Sequence, residues 1–213
     1  MTKTVQNLII LDKSGSMSTI RKQAVAGVVE TIRTIQVQQK AHPEMEQRIT
    51  LLTFCSCNST YVYNNVPAGQ ASVEAMNAYS PCCGTPLYDA IGDSCISLAK
   101  LVAGAKDTAV SVTIITDGYE NSSSKWTGGA VNALIEQYKA QGWLFAYIGA
   151  DHDVEAVCAE LGIDNSMAFD KTQEGTSRMF ERECKARMRW TARLCDAIAP
   201  IFCNEDYFDD EDK

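Results

Sequence analysis

Residues 5–17 read VQNLIILDKSGSM, and this stretch decides the fold. Its apolar half, residues 5–11, predicts a strand buried on both faces. The strand runs straight into Asp12-Lys13-Ser14-Gly15-Ser16-Met17, a loop whose side chains are mostly oxygen donors. Gly15 is read as the residue that lets the backbone turn tightly, so that Ser14 and Ser16 face one point. The apolar run is too short for a secretory leader or a membrane span, so the start of the chain reads as a strand.

Outward from there, short apolar runs alternate with helical periodicity. Ile20, Ala24, Val28, Ile32 and Ile35 recur at three- and four-residue spacing and predict a helix over 19–40, ended by His42-Pro43. Residues 48–55 and 60–66 read as strands joined by a turn around Asn58, the second an antiparallel edge. A short helix is expected at 71–77, a loop at 80–85, and a helix at 86–103 with Pro86 in its first position. Residues 108–116 are β-branched enough for a central strand. A helix over 127–141, a strand over 143–149, a helix over 154–161 closed by Gly162 and a strand over 166–169 follow. A charged helix covers 172–198, with Gly175 a candidate break. This alternation predicts an α/β architecture: a Rossmann-like, doubly wound, mostly parallel sheet with one antiparallel edge strand. In such a sheet ligands bind beyond the carboxyl ends of the strands, at the switch point.

Those ends carry a consistent chemistry. Asp12, Ser14 and Ser16 follow the first strand, Asp117-Gly118 follows strand 108–116, and the loop before the third long helix ends Cys83-Gly84-Thr85-Pro86. Two carboxylates and three hydroxyls suit a hard octahedral cation, Mg²⁺ first and Mn²⁺ next. Taken alone, Asp12, Ser14 and Ser16 also fit a helix N-cap with a turn.

The set Asp12-x-Ser14-x-Ser16, Thr85 and Asp117-Gly118 resembles the metal-ion-dependent adhesion site of von Willebrand factor A domains. The resemblance covers roughly residues 5–200 and is nearest to stand-alone bacterial members, through the pieces LIILDKSGSM, TPLYDAIG, TIITDGYENSS and AYIGADHD. It implies that Ser14, Ser16 and Thr85 hold the metal directly, while Asp12 and Asp117 hold its waters and orient the hydroxyls. Mostly neutral ligands leave such an ion electrophilic. A glutamate or aspartate of a protein partner would then complete its shell. The expected contact rim is Gly15, Met17, Gly84, Pro86, Gly118, Tyr119 and His152. The resemblance also implies coupling of the last helix to this site. It further suggests an adaptor, cytoplasmic and bacterial, with residues 1–203 as the domain and 204–213 as an acidic tail.

Composition narrows the alternatives. The chain has 213 residues, is 46% hydrophobic and 22% charged, and has a net charge of −8. It is a globular composition, not a disordered one. The segment NEDYFDDEDK holds six acids and one lysine, which leaves about −3 on residues 1–203. No basic surplus for nucleic acid is present, and the tail reads as a solvated terminus.

Phosphatases of the haloacid dehalogenase type need an acid where Ser14 stands, and a serine hydrolase needs Gly-x-Ser-x-Gly with a histidine. The expectation is therefore a binding module and not an enzyme. A Mg²⁺-dependent phosphoryl-transfer enzyme and a scaffold with a vestigial site are the alternatives. His152, in Asp151-His152-Asp153, lies in a segment where Asp151 or Asp153 would cap the following helix.

Nine cysteines without an even framework read as reduced thiols. Cys55, Cys57, Cys82 and Cys83 all fall toward the top of the sheet. One and zero intervening residues are poor zinc spacings, and a redox-sensitive disulfide is the other reading. Cys95, Cys158, Cys184 and Cys195 fit core positions, and Cys203 is unassigned. Arg178, Arg182, Lys185, Arg187, Arg189 and Arg193, interleaved with acids, read as a solvated face of the last helix.

Overall fold

Strand β1 (Lys3–Asp12) lies in the middle of the sheet, and its alternation builds two layers at once. The computed structural model describes residues 3–105, 107–196 and 207–208. Leu8 and Ile10 face α2 (Leu87–Val102), α3 (Gly128–Lys139) and α4 (Val154–Leu161). Ile9 and Leu11 face α1 (Arg21–Ala41) and α5 (Gln173–Asp196). The other strands are β2 (Met45–Cys55), β3 (Asn58–Pro67), β4 (Thr108–Thr116), β5 (Leu144–Gly149) and β6 (Asn165–Ala168).

Their order is β3-β2-β1-β4-β5-β6, with every pair parallel except β2–β3. The expected doubly wound sheet with one antiparallel edge is the observed one. Because β1 pairs with both β2 and β4, the chain changes winding direction there. A crevice therefore opens beyond the ends of β1 and β4. Asp12 and Asp117 flank it.

Several local expectations are corrected. A 3-10 turn over Gly15–Ile20 precedes α1, so the helix begins at Arg21. The segment expected as a helix at 71–77 is a 3-10 turn over Val73–Ala78, capped by Ser72. Helix α5 does not break at Gly175. A Cβ there would fall 2.3 Å from the Asp170 carbonyl oxygen, so glycine serves the close approach of the preceding loop.

The charged face of α5 is only partly solvated. Arg178 and Lys185 are exposed, but Arg187 is 1% exposed and Glu183 is fully buried. Arg187 donates to Glu183 Oε1 at 2.9 Å, Asn7 Oδ1 at 2.6 Å, Ser111 Oγ at 3.2 Å and Thr113 Oγ1 at 2.9 Å. The polar residues on this face of β1 and β4 form the socket for one arginine.

The tail reading also changes at one point. Tyr207 is 4% exposed, packs with Val5, Leu144, Trp190 and Leu194, and donates its N–H to Asn165 Oδ1 at 3.1 Å. Residues 204–206 and 209–213, Cys203 and residues 197–198 of the expected helix lie outside the described residues. Among the described residues, no helix is long and apolar enough to cross a membrane.

Candidate metal centre at the carboxyl edge of the sheet

Asp12 is the last residue of β1 and is wholly buried. The Ser14 N–H donates to its Oδ1 at 2.6 Å, and the Thr116 hydroxyl donates to its Oδ2 at 2.7 Å. The Tyr79 hydroxyl donates to the Asp12 carbonyl oxygen at 2.6 Å. Both carboxylate oxygens are thus fixed by the neighbouring strand end and loop. Burial nevertheless dominates and pushes the Asp12 carboxyl up to about 6.

Ser14 and Ser16 place their hydroxyl oxygens 3.0 Å apart, and Ser16 donates to Asp117 Oδ1 at 2.6 Å. A Cβ built on Gly118 would stand 3.8 Å from Ser16 Oγ and 4.0 Å from Thr85 Oγ1, so both hydroxyls face the same small space. The five residues picked from the sequence are therefore brought together.

Thr85 is set by a loop that the motif does not contain. Its N–H donates to Asn121 Oδ1 at 2.8 Å. Glu120 takes the N–H groups of Tyr88 at 2.9 Å, Ser122 at 2.7 Å and Ser123 at 2.6 Å. Asp89 takes those of Ser124, Lys125 and Trp126, each at 2.9 Å. Burial opposes ionisation of Asp89, but these backbone donors outweigh it and hold the carboxyl below its ordinary range. The segment 118–126 is thereby strapped across the start of α2. Gly84 permits the crossing, since a Cβ there would fall 2.2 Å from Ser122 Oγ.

Asp117 Oδ2 is buried and, among the described residues, accepts no hydrogen bond of good geometry. The cation that reaches it is the Lys171 ammonium, 2.5 Å away and also 3.3 Å from Asp151. Burial works against the charge on Lys171, but Asp117 and Asp151 outweigh it and hold the ammonium above the ordinary lysine value. Lys171 went unnoticed in the sequence. The rule that ligands sit beyond strand ends, applied to β6 as it was to β1 and β4, points at residues 169–172.

The rim is more mixed. Tyr119 is 54% exposed and its ring lies 5.2 Å from that of His152. His152 accepts or donates at Tyr147 Oη, 3.0 Å away, while Asp153 caps α4 by accepting the Ala156 N–H at 3.0 Å. Gly15, Gly84 and Gly118 are partly exposed. Met17 is 1% exposed and belongs to the core beside Ile20, and Pro86 is buried, so neither side chain is on the rim. Gly15 does not adopt a left-handed conformation, and a Cβ there would make an ordinary 3.5 Å contact with the Cys83 carbonyl oxygen. The turn does not require glycine for steric reasons.

Two buried carboxylates, one of them held by the Lys171 ammonium, and three converging hydroxyls make up a hard donor set. They fit a divalent cation that prefers oxygen.

No family model matches the sequence, and no curated protein matches it. Solved structures do match. A von Willebrand factor type A protein from Catenulispora acidiphila aligns over 88% of this chain and 43% of its own, with a TM-score of 0.63 and 15% identity. The fold is that of a von Willebrand factor A domain.

The same von Willebrand factor A fold aligns with proximal thread matrix protein 1 from the mussel byssus, whose metal-ion-dependent adhesion site is occupied by zinc. That match has a TM-score of 0.62 and 13% identity, covering 87% of this chain and 46% of the other. The corresponding domain of the type V pili tip protein Mfa5 from Porphyromonas gingivalis matches at 0.62 and 11%, covering 90% and 97%. The chain thus spans less than half of the first two proteins and nearly all of the third domain.

Proposed function

We propose that this von Willebrand factor A domain is a Mg²⁺-dependent protein-binding module, with Mn²⁺ as a substitute ion. Ser14, Ser16 and Thr85 hold the ion, Asp12 and Asp117 orient their hydroxyls and its waters, and a carboxylate from a protein partner completes the shell. The ion supplies a Lewis-acidic point that two protein surfaces share. The observation that carries this reading is the convergence of these five side chains at the switch point, with Ser16 Oγ on Asp117 Oδ1 and the Ser16 and Thr85 hydroxyls facing one small space. Tyr119 and His152, packed on each other beside the site, offer a partner an aromatic surface.

The pairing of Asp117 with Lys171 supports a site that binds its ion weakly until a partner acid joins it. The thiols of Cys55, Cys57, Cys82, Cys83, Cys95, Cys158 and Cys184, none of them in a disulfide, support a reducing, cytoplasmic setting.

The test is isothermal titration of the chelator-stripped chain with Mg²⁺ and Mn²⁺, alone and with acetate as the carboxylate. Saturable binding that acetate strengthens, and that Asp12→Ala and Asp117→Ala abolish, is the expected result. Heats identical in the native and variant chains would refute the site.

A further inference from the structure

A second group of metal-binding side chains lies against the first, and its chemistry is opposite. Cys55 ends β2 and is buried, Cys57 sits in the β2–β3 turn, and Cys82 and Cys83 lie in the loop that leads to Thr85. The sulfurs of Cys55, Cys57 and Cys82 all lie within 4.8 Å of one another, and Cys55 Sγ is 3.4 Å from Cys82 Sγ. The exposed Cys83 thiol interacts with both Cys57 and Cys82. A tetrahedral zinc site with Zn–S bonds of about 2.3 Å places its sulfurs about 3.8 Å apart. The Cys55–Cys82 separation of 3.4 Å is somewhat shorter than that and far beyond the roughly 2.05 Å of a disulfide, so small shifts would bring the sulfurs to zinc-binding distance.

The two segments are held in register by backbone bonds, so the thiols do not meet by side-chain reach alone. Cys82 N–H donates to the Lys13 carbonyl oxygen at 2.8 Å, and Gly15 N–H to that of Cys83 at 3.0 Å. Ser56 N–H donates to the Gly84 carbonyl oxygen at 2.9 Å, and Gly84 N–H returns to Ser56 Oγ at 2.9 Å. Cys83 has a φ of +62°, an uncommon conformation for a residue with a side chain. The unusual sequence spacing is thereby explained: the ligands come as two pairs from two loops, and the loops supply the separation that the sequence does not.

We propose that Cys55, Cys57, Cys82 and Cys83 bind one zinc ion that fastens the β2–β3 turn to the loop presenting Thr85. Each thiol that ligates releases its proton to solvent. Lys13, whose ammonium is fixed at Asn58 Oδ1 at 2.6 Å, offsets part of the charge of the thiolate set. Soft thiolates favour zinc more strongly than hard oxygens do, so the thiol cluster fills with zinc first.

The experiment uses the reduced, chelator-stripped chain with Co²⁺ as a spectroscopic probe, followed by Zn²⁺ in competition with a chromophoric chelator. One equivalent of Co²⁺ is expected to give thiolate-to-cobalt charge-transfer and tetrahedral ligand-field bands, which one equivalent of Zn²⁺ discharges. Cys55→Ser and Cys82→Ser are each expected to weaken Zn²⁺ binding at least about 100-fold, as loss of a ligand should exceed loss of a supporting contact.

Asp12→Ala must keep the bands, because zinc at the oxygen site would not give them. Cys195→Ala must also keep them, because His42, Glu44 and Cys195 form another three-donor group at the opposite end of the sheet. Circular dichroism checks folding. If the buried Cys55→Ser variant does not fold, the double variant of the exposed Cys57 and Cys83 to serine gives the same reading. Absence of the bands in the reduced native chain, or their survival in the Cys82→Ser variant, overturns the proposal. So does a Cys55–Cys82 cross-link on mild oxidation in a chain that takes up no metal, which would make the pair a redox element.

Discussion

Replacing Asp12 by asparagine should make the metal-free protein more stable and its metal response disappear. The carboxyl is wholly buried and is pushed from 3.8 up to about 6, chiefly by desolvation. A shift of that size is about 3 kcal/mol of lost stability at neutral pH, from ~1.36 kcal/mol per pKa unit. The folded chain holds this proton more tightly than the unfolded chain. The penalty is therefore absent below the unfolded value of 3.8, grows between 3.8 and about 6, and is complete above that window. Asparagine removes the charge and keeps an acceptor for the Ser14 N–H. Its amide hydrogens then face Thr116 Oγ1, which can turn its own hydrogen to the Gly118 carbonyl oxygen 3.3 Å away. Allowing about 1 kcal/mol for the weaker hydrogen bonds, the net gain is about 2 kcal/mol. That corresponds to roughly 4–8 °C in midpoint for a chain of this size. The assay is thermal unfolding of both proteins in chelator between pH 4.5 and 7.5. The gap between them must narrow as pH falls, because the native carboxyl takes up its proton and loses the penalty. Saturating Mg²⁺, at about 100 times its Kd, should raise the native midpoint by the equivalent of about 2.7 kcal/mol and leave the variant unmoved. A gap that is constant with pH, or an asparagine variant less stable than the native chain at pH 7, would refute the assignment of that cost to Asp12.

Lys171→Met should raise Mg²⁺ affinity about tenfold in calorimetric titration, the ~1.4 kcal/mol expected from removing one nearby positive charge. An unchanged or weaker affinity would mean that the ammonium supports the site. Arg187→Met should lower stability by about 3–5 kcal/mol in a urea melt, because Glu183 is left buried and unpaired. The double variant that also carries Glu183→Leu should recover much of that loss, and no recovery would contradict the pairing. Tyr207→Ala should cost about 3 kcal/mol in the same assay, as for other large buried aromatics. A change near zero would return Tyr207 to the solvated tail.

The architecture was legible because alternation and periodicity are local signals. Leu8–Leu11 and residues 108–116 are apolar enough to name themselves as central strands, and the residues after them carry the donors. Thr85 was legible as a hydroxyl at the same sheet edge, but its role as a direct ligand came through resemblance, since nothing local to Gly84-Thr85-Pro86 says how a distant loop will set it. Asn121, Glu120 and Asp89, which position it, carry no signal of their own: they act through backbone N–H groups that any sequence provides. Arg187 shows the opposite failure. A charge-rich helix normally faces water, and its exception follows from the polar side chains Asn7, Ser111 and Thr113 inside apolar strands. Those three were the readable clue. Met17 and Pro86 were placed on the rim by adjacency to the motif. An apolar residue beside a polar loop, however, has the core as its better environment.

The cost of burying Asp12 and the cation supplied by Lys171 belong to one problem. Two carboxylates at the end of adjacent parallel strands repel each other and are poorly hydrated, and the negative charge of Asp117 adds to the burial that raises Asp12. In the chain by itself the Lys171 ammonium neutralises Asp117, while Asp12 has hydrogen bonds and, among the described residues, no cation. One positive charge against two buried negative ones leaves the site under-neutralised, with Asp151, the lysine's other neighbour, 57% exposed and screened by water, and this residual field attracts a divalent ion. The same lysine prevents the attraction from becoming very strong, because an arriving ion must share Asp117 with it. A further carboxylate from outside restores the balance between one lysine, one divalent ion and three acids. On this charge arithmetic, ion and acidic partner bind cooperatively, each raising the affinity of the other by the same factor. Lys171 sets how large that factor is, so Lys171→Met should bind Mg²⁺ more tightly alone yet gain less from added carboxylate than the native chain does.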